Sequence, residues 1–571
     1  MKHQTCQYCL ESTCRLTDVE KRPEIVKEPV RYSIKDVKHP TEQEELQEES
    51  KGAELTMEQA IETGKGFAKN KTQQKKLRNF LAQVLASSSK YLMLLDIGMG
   101  VSFATIAIPP LQAATTGLKM TEEEASWFAS LVFVWQPVGS MTTVAFSKYG
   151  RKTAMIFLQL PLLIGWILPY FATSVWQLYI ASSIMGLGVG FVQAPIATYI
   201  GEVTQPQYRG GLASVAYSMF TLGQVVIFGI DVITGDWRLS AICSSCVPIV
   251  TSIVLCLIPE SPIWLISKGR YDEAKSALKW LRGWASDEDV EQEYKDLLYH
   301  NCRNYAEFCA EEGRNEIKGV CGKFSTEENS KQFASKTSIH PSIAPSESAE
   351  MGWARKFFLR PEMYNPMIFI LLFMYLSNGS GLGVFRSYLV IILQSFDISM
   401  DEGKVTVAVS VVGLLGTVLM VILIPLIGKR KLTFISVILT GLGCLALGLY
   451  MMFGRNLNME WLPLVILVEI LFASNLGVSH IPWIIISEIF PLKGRTFGTG
   501  LVAGLGNVLQ FIGIKLFYTY ADLLTIGGVF VMYAITYAVG LVYLYYYQVE
   551  TEGRPLNEIV EHFRTGRRAR R

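Results

Sequence analysis

A few charged and polar residues inside otherwise apolar stretches hold most of the chemistry open to this chain. Glu202 is followed by Arg209, and Glu488 by Arg495, at the same separation. A basic turn lies upstream of each pair, Lys148-Tyr-Gly-Arg-Lys152 and Gly428-Lys-Arg-Lys431. A carboxylate at one helix mouth, facing such a turn, can form an ion pair that closes one conformation and breaks in another. Arg151, Glu202, Arg209, Arg430, Glu488 and Arg495 are therefore expected to form a gating network. The plainer role of such charges is to set topology and anchor helix ends at a membrane surface. Their recurrence in both halves of the chain favours the gate. Arg386, Glu469 and Asp96 sit deeper in apolar sequence, where an ionisable group is costly and points to function. Arg386 and Glu469 are expected to pair, or to share a polar group of a solute, with a simple interhelical salt bridge as the alternative. His480 is expected to pack or hydrogen-bond at a broken turn near Pro482. No nucleophile, base or metal constellation emerges, so neither catalysis, a cofactor nor a metal is expected. Cys6-x-x-Cys9 with His3 and Cys14 lacks the second closely spaced ligand pair of a structural zinc site, and reads as a reduced tail.

The elements that position these residues follow from composition. The chain has 571 residues, 50% hydrophobic and only 18% charged, with a formal net charge of +2. That near-neutral sum hides segregation, since charges crowd into residues 1–90, 260–360 and the last twenty or so. A soluble enzyme, a nucleic-acid binder and a disordered scaffold all fit poorly. A bilayer core of about 30 Å needs about 20 apolar residues of helix, and lipid offers the backbone no other way to satisfy its hydrogen bonds. Apolar blocks at roughly 91–115, 126–146, 153–173, 176–200, 212–234, 240–258, 364–394, 405–427, 432–453, 461–487, 497–519 and 526–547 predict about twelve spans. The predicted fold is an all-α membrane protein of two pseudo-symmetric six-helix bundles, residues 89–259 and 361–548. A mostly disordered tail (1–88), a loop with short helices and a disordered part (260–360) and a C-terminal tail (549–571) complete it.

Lys148, Arg151, Lys152, Arg209, Lys429, Arg430, Lys431, Lys493 and Arg495 fall on one set of short loops. By the positive-inside rule that set is cytoplasmic, and so are both termini. Met1 to Leu10 lacks an apolar core segment, so the first span is expected to direct insertion, with the plasma membrane as destination. Tyr271, Ala274, Ala277, Leu278 and Leu281 make a helical apolar stripe in the central loop. Residues 313–350 are polar and are expected to be disordered. Glu293 through Leu297-Leu298 fits an acidic dileucine sorting pattern that also arises often by chance.

The charged markers recur about 280 residues apart, the length of one six-helix half, which is the plan of the major facilitator superfamily. Pro259-Glu-Ser-Pro-Ile-Trp-Leu265, Tyr199-Ile-Gly-Glu202 through Arg209-Gly210, Ile481-Pro-Trp483 through Glu488 and Arg495, and Glu550-Thr-Glu-Gly553 resemble motifs of its sugar-porter branch. Gly269-Arg270, Ala277-Leu-Lys-Trp-Leu-Arg-Gly283 and Ser126-Trp127 resemble in particular the insect facilitative trehalose transporters. The resemblance implies a substrate-binding set of Trp483, Ser380, Tyr375, Asn378, Thr221 and Gln224, to which Arg386 and Glu469 are added. It also shows departures. The family's paired seventh-span glutamines fall on Met374 and Tyr375, its later asparagine on Ser380, its fifth-span glutamine on about Thr221, and a Gly-Pro on Ser479-His480. Family loop aspartates fall on Ser147 and Pro425, and a fourth-span arginine on Ser182. Proton-coupled relatives carry a carboxylate near Thr105, so facilitated diffusion is implied over proton symport. The implied function is facilitative transport of a sugar such as trehalose or glucose by alternating access, with a small solute and the lipid bilayer as partners and no nucleic acid. Two alternatives are a carrier of a non-sugar polar solute and a non-transporting sugar sensor.

Overall fold

The structure, a computed structural model, describes residues 40–146, 149–311, 361–396, 400–454, 459, 461–486, 488–490, 495–554 and 556–565. The Cys6–Cys14 cluster and the expected disorder over 313–350 lie outside the described residues. The chain divides into two compact units, Met1–Lys76 and Leu77–Arg571. The described part of the first unit is the start of helix α1 (Pro40–Ala113), where the sequence reading expects a disordered tail. Glu, Lys, Gln, Ala and Leu dominate residues 41–76, and all are good helix formers, so a solvated helix and a disordered tail share one composition.

Each of the twelve apolar blocks coincides with a helix or a broken helix. They are α1, α2 (Glu122–Phe146), α3 with α4 (Arg151–Phe157, Gln159–Phe171), α5 (Val175–Val203), α6 (Pro206–Thr234) and α7 with α8 (Trp237–Ser244, Cys246–Leu257). After the central loop come α12 with α13 (Pro361–Ser377, Gly383–Gln394), α14 (Glu402–Ile427), α15 (Lys429–Leu449), α16 with α17 (Leu462–Asn475, Ile481–Ile485), α18 (Arg495–Lys515) and α19 (Phe517–Tyr547). Seven helices among the described residues are long and apolar enough to cross a membrane. No strand occurs among the described residues. Small residues let the backbones close up, as expected where lipid gives little drive for helix association. A Cβ at Gly186 or Gly190 of α5 would lie 2.4 Å from the Val132 carbonyl oxygen or 2.1 Å from that of Gln136, both on α2.

Two spans are broken where the site lies. Between α12 and α13, residues Asn378–Leu382 form a π-helical turn. Between α16 and α17, residues 476–480 are turns. Such breaks free backbone groups, which membrane proteins tolerate only where they are buried in protein or line a cavity.

The central loop folds as α9 (Pro262–Ser267), α10 (Tyr271–Leu281) and α11 (Asp287–Glu311). The expected stripe is buried at Ala274, Ala277, Leu278 and Leu281. Lys275 binds Glu291 at 2.9 Å, and Arg282 binds Glu293 at 2.5 Å. The Lys275 ammonium holds the Glu291 carboxyl below its ordinary range. This hairpin is tied to the first bundle, because Gln83 donates to the Leu281 carbonyl at 2.9 Å and accepts from the Gln205 amide at 3.1 Å. Glu293 is thus paired and Leu298 is packed against the Trp264 cluster, so the dileucine pattern is a folded helix face here.

Candidate functional site

The first half-site grows from Gly150, whose φ of 119° suits glycine and turns the chain into α3. The first amides of α3, on Arg151 and Lys152, each donate to Glu260 at 3.0 Å. A carboxylate supplied from the start of the central loop therefore satisfies an exposed helix N-terminus. A Cβ at Gly150 would sit 2.4 Å from Glu260 Oε2, so the cap needs the glycine. The Arg151 guanidinium then reaches Glu202 on α5 at 2.9 Å. Ser261 donates its hydroxyl to the other oxygen of Glu202.

The second half repeats this arrangement with a lysine in place of the arginine and one carboxylate more. Gly428 has φ 85°, and the amides of Lys429 and Arg430 donate to Glu550 at 3.1 and 2.9 Å. Lys429 Nζ binds Glu488 at 2.7 Å and Glu552 at 2.8 Å. Thr551 takes the part of Ser261, donating to Glu488 at 2.7 Å. The next basic residue turns aside in both halves. Lys152 donates to the Cys256 carbonyl at 2.8 Å, and Arg430 to the Tyr545 carbonyl at 2.8 Å.

One correction to the expected gate follows. Lys429, and not Arg430, is the partner of Glu488, because the register counts from the glycine: Arg151 follows Gly150 as Lys429 follows Gly428. The side chains of Arg209 and Arg495 lie outside the described residues. The caps Glu260 and Glu550 and the hydroxyls Ser261 and Thr551 were absent from the sequence-derived set. Their position directly after the sixth and twelfth spans was the available signal.

A small cavity of about 30 Å³ lies between the two halves. Its polar lining is Ser102 from α1, Thr221 and Gln224 from α6, Arg386 from α13, Ser410 from α14, Ser474 and Asn475 from α16, and Ser479 from the break. Of the expected set, Thr221, Gln224 and Arg386 line this cavity. Thr221 lies 3.1 Å from the Thr417 hydroxyl and 3.4 Å from His480 Nε2, and His480 Nε2 donates to Asn475 Oδ1 at 3.1 Å. His480 is therefore a buried bridge at the broken turn, as expected. Trp483 is half-buried beside this cluster, and its carbonyl accepts from the Tyr217 hydroxyl at 3.1 Å.

Other expected ligands fall elsewhere. Tyr375 is 48% exposed on the outer surface, because its neighbour Met374 takes the inward position and adjacent helical residues do not share a face. Asn378 is buried in the π-turn and does not line the cavity. The Ser380 side chain lies outside the described residues. Arg386 and Glu469 are not brought together. Arg386 donates to the Ser479 hydroxyl and lies 5.3 Å from the Phe220 ring centroid. Glu469 points at α15, where a Cβ on Gly443 would lie 2.1 Å from its Oε2. Asp96 is engaged away from the cavity, accepting from Trp166 Nε1 at 2.7 Å.

Comparison with known proteins gives the family. The profile of the family described as "Sugar (and other) transporter" matches residues 67–313 and 309–563. The facilitated trehalose transporter Tret1 of Polypedilum vanderplanki is 26% identical over 489 residues, covering 84% of this chain and 87% of that protein. Its counterpart in Culex quinquefasciatus is 27% identical over 490 residues, covering 84% and 85%. Among solved structures, a partially occluded inward-open form of the xylose transporter XylE from E. coli superposes with a TM-score of 0.62 at 15% identity, over 83% of this chain and 99% of that one. The proton:xylose symporter XylE bound to 6-bromo-6-deoxy-D-glucose gives 0.60 at 15% identity, over 86% and 100%. With the major facilitator fold, a cavity between its halves and the same capped charge pair built twice, this chain belongs to the sugar (and other) transporter family.

Proposed function

We propose that this protein carries a sugar of the trehalose or glucose class across a membrane by facilitated diffusion with alternating access. The observation that carries the reading is the cavity whose polar lining comes from both halves: Ser102, Thr221 and Gln224 on one side, Arg386, Ser410 and Asn475 on the other. A midplane site shared between two bundles is exposed to one face and then the other as the bundles rock around it. Thr105 supports uniport, since a neutral hydroxyl stands where proton-coupled relatives carry a carboxylate, and it donates to the Arg386 carbonyl at 2.5 Å. The binding set is Thr221, Gln224 and Arg386, joined by Ser102, Asn475 and His480. Arg151 with Glu202 and Lys429 with Glu488 brace the inner mouth, each pair within its own half, together with Arg209 and Arg495. Both termini and the central loop are cytoplasmic, on the strength of the basic loops, and the membrane of the proposal is the plasma membrane. The six-span halves are residues 89–259 and 361–548. Uptake of labelled trehalose and glucose into oocytes tests the reading. Entry well above uninjected cells is expected. Surface expression without entry of these or any other sugar would sink it and favour a non-transporting sensor.

A further inference from the structure

The charge balance of the cavity is uneven. Arg386 lines it with part of its surface open to it, and its partners are the Ser479 hydroxyl and the Phe220 ring. Among the described residues no carboxylate lies within ion-pairing distance of its guanidinium. The carboxylates of neighbouring spans are turned elsewhere: Asp96 to Trp166, Asp231 to Ser240, Glu469 to the Gly443 position. A cation at membrane depth without a counter-ion is costly, and such residues are normally paired. Phe220 offers a ring quadrupole and Ser479 one lone pair, neither of which neutralises a full charge.

Two further groups of the lining are unmet, Gln224 Nε2, which can only donate, and the Ser102 hydroxyl, which can donate or accept. Both are buried and have no partner among the described residues. Arg386 has five N–H donors and no acceptor, and one amino group is spent on Ser479. The cavity therefore asks for acceptors, and above all for a negative one. A neutral sugar hydroxyl donates as much as it accepts, whereas a carboxylate only accepts and matches the guanidinium fork with two parallel bonds. The Ser410 hydroxyl donates to the Thr406 carbonyl at 2.8 Å and keeps its lone pairs, and Asn475, held by the Leu471 carbonyl and His480, keeps one N–H and one lone pair, so together they suit hydroxyl groups.

We propose that the solute is an acidic sugar, a uronate or aldonate, with its carboxylate on Arg386 and its hydroxyls on the Ser102, Ser410 and Asn475 side of the cavity. The proposal rests on the sugar-carrier reading and narrows it. It also has a consequence for the transport cycle. The loaded cavity is neutral and the empty one is cationic, so the anion enters as net charge and uniport is electrogenic.

The test uses the full-length protein in oocytes and in liposomes, with labelled D-glucuronate, its neutral methyl ester and D-glucose. Glucuronate uptake is expected to exceed that of the ester about tenfold or more, and to give an outward current as the anion enters. Arg386→Gln is expected to collapse the glucuronate-to-ester ratio towards one, and Arg386→Lys to keep part of it. Should the glutamine variant fail to reach the surface, wild-type protein decides alone: glucuronate must raise its unfolding temperature dose-dependently and the ester must not. Uptake of glucose or trehalose with glucuronate neither carried nor competing overturns the proposal and leaves the sugar-carrier reading intact. Surface protein that neither moves nor binds any of these solutes overturns both.

Discussion

At the scale of single residues, the most constrained positions are two glycines. Gly150 and Gly428 have φ of 119° and 85°, and a Cβ at either would lie 2.4 or 2.5 Å from the carboxylate that caps the following helix. Alanine there meets two penalties at once. With ψ of 161° and 157°, both positions lie in a region open essentially only to glycine, which costs about 1–3 kcal/mol for a residue with a Cβ, and Glu260 or Glu550 must leave its two amides. Gly150→Ala and Gly428→Ala are each expected to lower the unfolding temperature of purified protein and to slow sugar uptake. An unchanged melting curve for either would mean that the cap is dispensable. The sequence displayed these glycines and the paired glutamates plainly, because a chain that duplicates a device duplicates its spacing. It also held the choice between Lys429 and Arg430, which is fixed by counting from the glycine. Charge type misled there: arginine is the stronger carboxylate partner in general, yet Arg430 is turned towards Tyr545.

At the scale of elements, hydropathy identified the helices well because lipid leaves the backbone so few alternatives. The facing of side chains was harder to read. The π-turn Asn378–Leu382 and the turns at 476–480 each reset the rotational phase of a span, and periodicity carries no trace of such resets. Arg386 lies after one break and Glu469 before the other, so the two charges face different neighbours. A contact missed by motif reading joins the halves at the opposite face from the basic loops. Lys515 at the end of α18 donates to Ser126 of α2 at 2.7 Å and lies 4.2 Å from the Trp127 ring centroid. Gln112 of α1 donates to the Tyr518 hydroxyl of α19 at 3.2 Å nearby. A cation–π contact of this kind contributes about 0.5–2 kcal/mol, enough to shift an equilibrium several-fold. Lys515→Met is expected to open that face. A cysteine placed at Ser410 in the cavity should then react faster with an impermeant maleimide applied from outside. Equal labelling rates with and without Lys515 would remove the contact from any closing role.

At the scale of the whole molecule, the distribution of strong and weak bonds decides which parts move. The described ion pairs at the span ends lie within one half: Arg151 with Glu202 in the first, Lys429 with Glu488 in the second. The seam between halves, formed by α6 against α14 and α2 against α18, carries no ion pair among the described residues; apart from the Lys515 and Arg386 side chains it is held by neutral contacts. Examples are the Tyr217 hydroxyl on the Trp483 carbonyl at 3.1 Å and the Thr221–Thr417 hydroxyl pair at 3.1 Å. Neutral hydrogen bonds contribute about 0.5–1.5 kcal/mol each, whereas breaking a part-buried ion pair costs more. The halves are therefore stiff and the seam is soft, which is the mechanical condition for rocking about a central site. In this arrangement the two ion pairs stiffen their own bundles and do not sense each other directly. Glu202→Gln and Glu488→Gln should each destabilise the protein by about 1–2 kcal/mol, less than a fully buried pair because both sites keep some exposure. The double variant should lose the sum of the two within about 0.5 kcal/mol. Unfolding of the purified single and double variants measures this directly. A coupling above about 1 kcal/mol would mean that the two pairs act as one gate spanning both halves, and the separation of stiff bundles from a soft seam would be wrong.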